Sequence, residues 1–134
     1  MHNTITKKQR VPGGKQRALA CVRAAEDRKA RNCVLLDMRK ISSIADYFVI
    51  CSGDSNRQVK GIAEAVLEAL KDAGVRCWHS EGWGESMWIV LDFGDVIVHV
   101  FQDEVRNYYK IERLWGDAKT VQSRKSKAKS SKNI

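Results

Sequence analysis

The chain lacks the features that identify several classes of protein. Its four cysteines form no Cys-x-x-Cys pair and lie near no histidine at zinc-binding spacing, which argues against a disulfide scaffold or a zinc finger. No apolar run approaches the roughly 20 residues of a membrane span. The polar, basic N-terminus also lacks the apolar segment of a secretory signal. We therefore expect a cytoplasmic domain without membrane contact, in which the cysteines are buried free thiols.

Acidic residues are missing from both ends of the chain. Residues 1–17 contain five Lys or Arg and residues 119–134 contain six, with no Asp or Glu in either range. In residues 18–118 the remaining 13 basic residues are outnumbered by 16 acidic ones, so the net charge of +8 comes from the two ends. Basic, Ser/Lys-rich segments are typical of disordered tails that attract polyanions in a salt-dependent way. We predict one folded domain at 18–118 between two such tails.

Hydrophobic periodicity predicts three helices and five strands. The clearest helix follows the turn-forming residues 52–56, because its apolar residues recur at steps of three and one until Gly74, a typical helix terminator. The pattern also predicts helices near 15–30 and 103–115. Short apolar runs predict strands at 33–38, 47–51, 75–79, 87–91 and 96–101. This order of elements indicates an α/β (α+β) domain, with a small mixed sheet of about five strands and flanking helices.

Residues 87–101 are predicted to form a β-hairpin. If Phe93 and Gly94 form a two-residue turn, Asp92 pairs with Asp95. In the same register Val90 pairs with Ile97, and Trp88 pairs with His99. Because successive side chains alternate between the two faces of a strand, one face is purely apolar and is predicted to be core: Met87, Ile89, Leu91, Val96, Val98 and Val100.

The other face of this hairpin is mixed, with Trp88, Val90, Asp92, Asp95, Ile97 and His99. Two carboxylates directly opposite each other repel unless a cation or a basic partner compensates them. A surface with aromatic, aliphatic and acidic groups suits a basic protein better than it suits phosphate. Two interpretations follow: the acids are solvated at an exposed turn while a helix covers Trp88, or the face contacts another macromolecule.

Three segments of the chain stand in order and at natural spacing. The first is IADYFVICSGDSNRQV at 44–59, the second is EG at 81–82 with WIVLDFGDVIVHVF at 88–101, and the third is EVRNYY at 104–109 with LW at 114–115. Each resembles a signature of the ribosomal silencing factors, the RsfS (Iojap) family. Together they cover about residues 18–118.

This resemblance implies a mixed-sheet domain similar to nucleotidyltransferases but without catalysis. It also implies binding to the large ribosomal subunit through large-subunit ribosomal protein fourteen, which blocks joining of the small subunit and represses translation under nutrient limitation. Members are often homodimers when free. A basic ribosomal protein would complement the hairpin surface, and the tails would add weak contacts with ribosomal RNA. On this hypothesis the contact residues are Trp88, Asp92, Asp95, His99, Glu104, Tyr108 and Trp115.

Two other functions compete with this hypothesis. A small nucleotidyltransferase needs carboxylates that hold a divalent metal, and Asp92 and Asp95 superficially supply them. Such enzymes typically place both acids in an Asp-x-Asp pair on one strand, however, whereas these two straddle a turn. An RNA-binding module would act through the basic tails, but the hairpin lacks interleaved arginines. We therefore predict no enzymatic activity, no catalytic residues, no metal site and no cofactor.

Overall fold

The computed structural model describes residues 13–109 and 119–121, which form a six-stranded mixed sheet with flanking helices. The helices are α1 (Gly14–Asp27), α2 (Asn56–Asp72) and α3 (Asp103–Tyr109). The strands are β1 (Arg31–Asp37), β2 (Tyr47–Gly53), β3 (His79–Glu81), β4 (Trp88–Asp92), β5 (Val96–Gln102) and β6 (Lys119–Val121). The predicted fold class is confirmed. Among the described residues, no helix has the length and apolar character needed to cross a membrane.

The sheet runs in the order β3-β4-β5-β2-β1-β6. β2 and β5 are parallel at its centre, and the other neighbouring strands are antiparallel. A parallel pair requires a long connection, and α2 lies within that connection. Every residue of β2 is buried, as expected for a central strand that is covered on both faces.

The main core lies between one face of the sheet and the two long helices, α1 and α2. Periodicity locates α2 correctly because local signals mark both of its ends. The Ser55 side chain caps the N-terminus by accepting a hydrogen bond from the backbone N–H of Gln58 at 3.1 Å. Gly74 follows the C-terminus with φ +84°, a conformation that favours glycine. The apolar stripe of α2 is buried: Val59, Ile62, Ala63, Val66 and Leu70.

The four cysteines are free thiols, as predicted. Cys21, Cys33 and Cys51 are buried in the main core, and Cys77 is half-buried. Burial raises the pKa of the Cys21 thiol well above its usual range, because a thiolate loses its hydration in an apolar environment. These cysteines therefore serve as small apolar core residues.

Two elements of secondary structure include residues from the ranges that were predicted as tails, whereas residues 1–12 and 122–134 lie outside the described residues, so the tails stay a prediction. α1 begins at Gly14, and β6 consists of Lys119–Val121, which pairs with the outer edge of β1. The predicted strand at 75–79 is also wrong in position, since only His79–Glu81 pairs with β4. For β3 and for β6, strand formation depends on the backbone of the neighbouring strand rather than on the composition of the segment.

The hairpin forms with a different register from the one predicted. Phe93 N–H donates to the Val96 carbonyl at 2.9 Å, so Gly94 and Asp95 form the turn, and Asp92 pairs with Ile97. Gly94 has φ +98°, but at the first turn position instead of the second. The shift between the strands is two residues, and because side chains alternate with period two it leaves the two faces unchanged.

The predicted core face of the hairpin is confirmed for five of its six residues. Ile89, Leu91, Val96, Val98 and Val100 are fully buried. Met87 is the exception, with 41% of its surface exposed. It precedes the first residue of β4, so it lies beyond the part of the strand that the helices cover.

Candidate docking surface

The sheet face opposite α1 and α2 carries a second, smaller apolar cluster. On β4 and β5 this face consists of Trp88, Val90, Asp92, Ile97, His99 and Phe101, and we call it the aromatic face. The pairs Trp88 with Phe101, Val90 with His99 and Asp92 with Ile97 lie side by side across the two strands. Trp88, Val90 and Ile97 are half-buried, so this face combines a packed base with accessible apolar groups.

Aromatic packing fixes the position of the Trp88 indole. The centroid of its ring lies 4.7 Å from that of Phe101, and Phe101 is fully buried. His99 extends the cluster, with ring centroids 5.0 Å from Phe48 on β2 and 6.1 Å from Phe101. These separations are typical of favourable aromatic pairs. The half-buried Trp88 indole therefore packs on the core and keeps an accessible surface, which is typical of an anchor residue at a protein interface.

His99 acts in this cluster as a neutral hydrogen-bond acceptor. Trp88 Nε1 donates to His99 Nδ1 at 3.2 Å, and this geometry requires Nδ1 to be unprotonated. Burial lowers the pKa of His99 from 6.5 to about 4, because an imidazolium in this apolar site loses its hydration. His99 is only 7% exposed. In this structure His99 therefore supports the Trp88 indole and has little accessible surface of its own, and its place in the contact set stays a prediction.

The predicted pair of opposed carboxylates does not form. Asp92 remains on the aromatic face and its Oδ1 accepts a hydrogen bond from Gly94 N–H at 2.8 Å. Asp95 lies in the turn, where its Oδ1 pairs with Arg17 of α1 at 2.8 Å. The register explains the difference, because it moves Asp95 out of the strand and towards the helices. Arg17, which the prediction assigned to a tail, compensates the charge that a partner was expected to neutralise.

The remaining predicted contact residues lie on or after α3. Glu104 is exposed in the first turn of this helix. Arg106 fixes α3 against the sheet, since its Nη1 donates to the Ser52 hydroxyl at 2.8 Å and to the Asn32 carbonyl at 2.7 Å. The side chain of Tyr108 and the whole of Trp115 lie outside the described residues, so their place in the contact set stays a prediction.

The predicted contact set omits Trp78, which is 73% exposed. Its backbone N–H donates to the Asp92 carbonyl at 2.8 Å, and a Cβ placed on Gly94 would lie 3.5 Å from its indole ring. The indole therefore stands beside the hairpin turn, next to the aromatic face. Nothing in the sequence distinguishes this exposed tryptophan from the other three, because exposure depends on what packs against the residue.

The aromatic face carries groups of the kinds that occur in protein interfaces. It presents accessible apolar groups and one carboxylate that already accepts a backbone hydrogen bond, above a buried neutral imidazole. In the part of the chain that the structure describes, no group of three or more His, Cys, Asp or Glu residues is arranged to hold a metal ion. The nucleotidyltransferase alternative needed Asp92 and Asp95 to act as a pair. In this structure Asp92 accepts a hydrogen bond from Gly94 N–H, and Asp95 pairs with Arg17.

Comparison with known proteins identifies the relatives of the chain. Residues 12–134 match the family described as "Ribosomal silencing factor during starvation". A relative from Halalkalibacterium halodurans named ribosomal silencing factor RsfS is 45% identical over 101 residues, which cover 75% of this chain and 86% of the relative. A mouse relative named mitochondrial assembly of ribosomal large subunit protein 1 is 29% identical over 89 residues, which cover 64% of this chain and 39% of the relative.

The fold agrees with these sequence matches. A crystal structure of a protein from Chromobacterium violaceum is similar with a TM-score of 0.77 at 41% identity, and the match covers 78% of this chain and 88% of that one. The family match spans all three segments on which the predicted resemblance rests. The chain therefore belongs to the ribosomal silencing factor family.

Proposed function

We propose that the chain docks on the large ribosomal subunit through large-subunit ribosomal protein fourteen and blocks joining of the small subunit. Translation then falls when nutrients are scarce. The aromatic face is the docking surface in this proposal, with Trp88 as its apolar anchor and Asp92 as its charged group. The protein acts by occupying a surface and not by catalysis.

The observation that carries this proposal is the half-buried Trp88, which packs on Phe101 and shares with Asp92 the sheet face opposite the two long helices. Interfaces are typically enriched in aromatic anchors at their centre. A carboxylate at the edge of such a patch favours a basic partner and speeds its association. Ribosomal proteins that bind RNA are generally basic, so the charge of the surface suits a partner of that class.

Two further observations support the proposal. The mouse relative is named for assembly of the ribosomal large subunit, which favours that subunit as the binding site. Asp95 is engaged by Arg17, so the contact rests on Asp92 and the apolar residues and not on a pair of acids. In this proposal Asp92 supplies the negative charge of the contact, and a substitution of Asp92 alone can test that contribution.

Co-sedimentation with isolated large and small subunits tests the proposal. We expect the wild type to pellet with the large subunit alone. Trp88→Ala should weaken this binding by about tenfold to a hundredfold, the range for an interface anchor. Asp92→Asn keeps an oxygen that can accept the Gly94 hydrogen bond but removes the charge, and should weaken binding by about threefold to tenfold at low salt.

The matched control is Asp72→Asn, which removes the same charge from an exposed residue of α2 on the other side of the sheet. It should bind like the wild type. Large-subunit binding that is unaffected by Trp88→Ala would refute the assignment of the docking surface. A second copy of the chain is the competing occupant of this face, and a dimer that Trp88→Ala dissociates in sedimentation velocity, without any subunit binding, would favour that alternative.

A further inference from the structure

A cavity of about 500 Å³ opens on the helical side of the sheet. It lies between the turn after α1, which contributes Arg28, and the first turns of α2, which contribute Arg57 and Lys60. Glu64 is the one carboxylate among its described lining residues, so three cationic groups face one anionic group. The aromatic face is on the opposite side of the sheet, and an occupant of this cavity would not compete for it.

Hydrogen bonds hold together the two backbone segments that border the cavity. The Gln58 side-chain amide donates to the carbonyls of Arg28 and Lys29 at 3.3 and 3.1 Å, which ties the turn to α2. The Arg28 guanidinium extends over Gly61, where an added Cβ would lie 3.7 Å from Nη1. Arg28 therefore lies against the helix that carries Arg57 and Lys60, and all three line one cavity although Arg28 is about 30 positions away from α2 in the sequence.

These three cations resemble the exposed Arg23 and Arg76, which form no ion pair within the described residues, and differ from the arginines that pair with an acid. Arg17, Arg31 and Arg39 each contact an aspartate. Among the residues that the structure describes, none of Arg28, Arg57 and Lys60 has a carboxylate oxygen within 4.0 Å. Cations that converge without such partners raise the local positive potential. The first turn of a helix adds to it, because the helix dipole is positive there.

We propose that this cavity binds the phosphate backbone of RNA. Guanidinium groups contact phosphate through two parallel hydrogen bonds, and lysine adds a point charge. The inference rests on the proposed function, because docking on the ribosome is what brings RNA to this surface. It gives the chain a second ribosomal contact, on the side away from the docking protein.

The test compares two double variants of the full chain that lose equal charge. Arg57→Gln/Lys60→Gln removes two cations from the cavity. Lys71→Gln/Arg76→Gln removes two cations from a separate groove at the other end of α2, of about 520 Å³. The affinity of each for a twelve-nucleotide single-stranded RNA is measured by fluorescence anisotropy across salt concentrations. Co-sedimentation with large subunits follows.

We expect the cavity variant to bind the RNA about tenfold more weakly than the control variant. The slope of log affinity against log salt should fall in magnitude by about 1.4, since each phosphate contact to a single strand contributes about 0.7. Equal affinities and slopes for the two variants would overturn the proposal and assign RNA binding to the basic ends of the chain. Weaker subunit binding with unchanged RNA binding would overturn it too, because the cavity would then contact a protein. Failure of the wild type to bind large subunits refutes the proposed function alone, if the RNA assay still separates the variants.

Discussion

Acidification should destabilise this fold through His99. The imidazole is buried against Phe48, Phe101 and Trp88, and its pKa is lowered to about 4 in the folded chain, against about 6.5 when unfolded. Above pH 6.5 neither state binds the proton, and the free energy of unfolding is unaffected. Between pH 6.5 and 4 only the unfolded state binds it, so stability falls as the pH falls. Below pH 4 both states bind it and the loss levels off.

The size of this effect follows from the two pKa values. Their difference corresponds to about 3 kcal/mol when the loss is complete, at about 1.4 kcal/mol for each pH unit. At pH 5 the unfolded His99 is almost fully protonated and the folded one is not, which gives a loss of about 2 kcal/mol. This is a large part of the 5–15 kcal/mol that typically separates folded from unfolded domains. Protonation would also remove the acceptor that orients Trp88.

Urea unfolding of the wild type and of His99→Gln at pH 7 and pH 5 measures this loss. The variant keeps a side chain that can accept the Trp88 hydrogen bond but removes the titration, so the wild type should lose about 2 kcal/mol more than the variant over this interval. Carboxylates that titrate in the same interval affect both proteins equally. His79→Gln, at an imidazole 62% exposed on β3, should behave like the wild type. Equal losses in the wild type and His99→Gln would refute the reasoning.

Two further substitutions test the geometry that positions the docking surface. Gly82→Ala should unfold the chain or shift the start of β4, because Gly82 has φ +94° and an added Cβ would lie 2.0 Å from the Trp88 carbonyl oxygen; a thermal melt equal to that of the wild type would contradict this. Arg17→Gln should cost less than about 1 kcal/mol in urea unfolding, since a partly exposed ion pair contributes little, and should leave subunit binding unchanged. Clearly stronger binding would mean that Asp95, released from Arg17, belongs to the contact after all.

Local signals in the sequence were sufficient for much of this fold. Ser55 and Gly74 mark the ends of α2, and the alternation in β4 and β5 separates a buried face from a mixed one. The error in the hairpin turn left those faces intact, because a shift of two residues preserves the parity of a strand. The strand error at 75–79 concerns a short segment, and the short strands β3 and β6 form only through the backbone of the strand beside each of them.

The sequence by itself determined the family and the residues available to each sheet face, because these depend on the order and spacing of residue types. Only the tertiary structure decided which charged side chains pair with each other and which line the same cavity. Arg17 neutralises Asp95 across 78 positions, while Arg28, Arg57 and Lys60 converge on one cavity in a domain whose overall charge is slightly acidic. Coulomb energy depends on distance in space and on the surrounding solvent, and neither quantity can be obtained from separation along the chain.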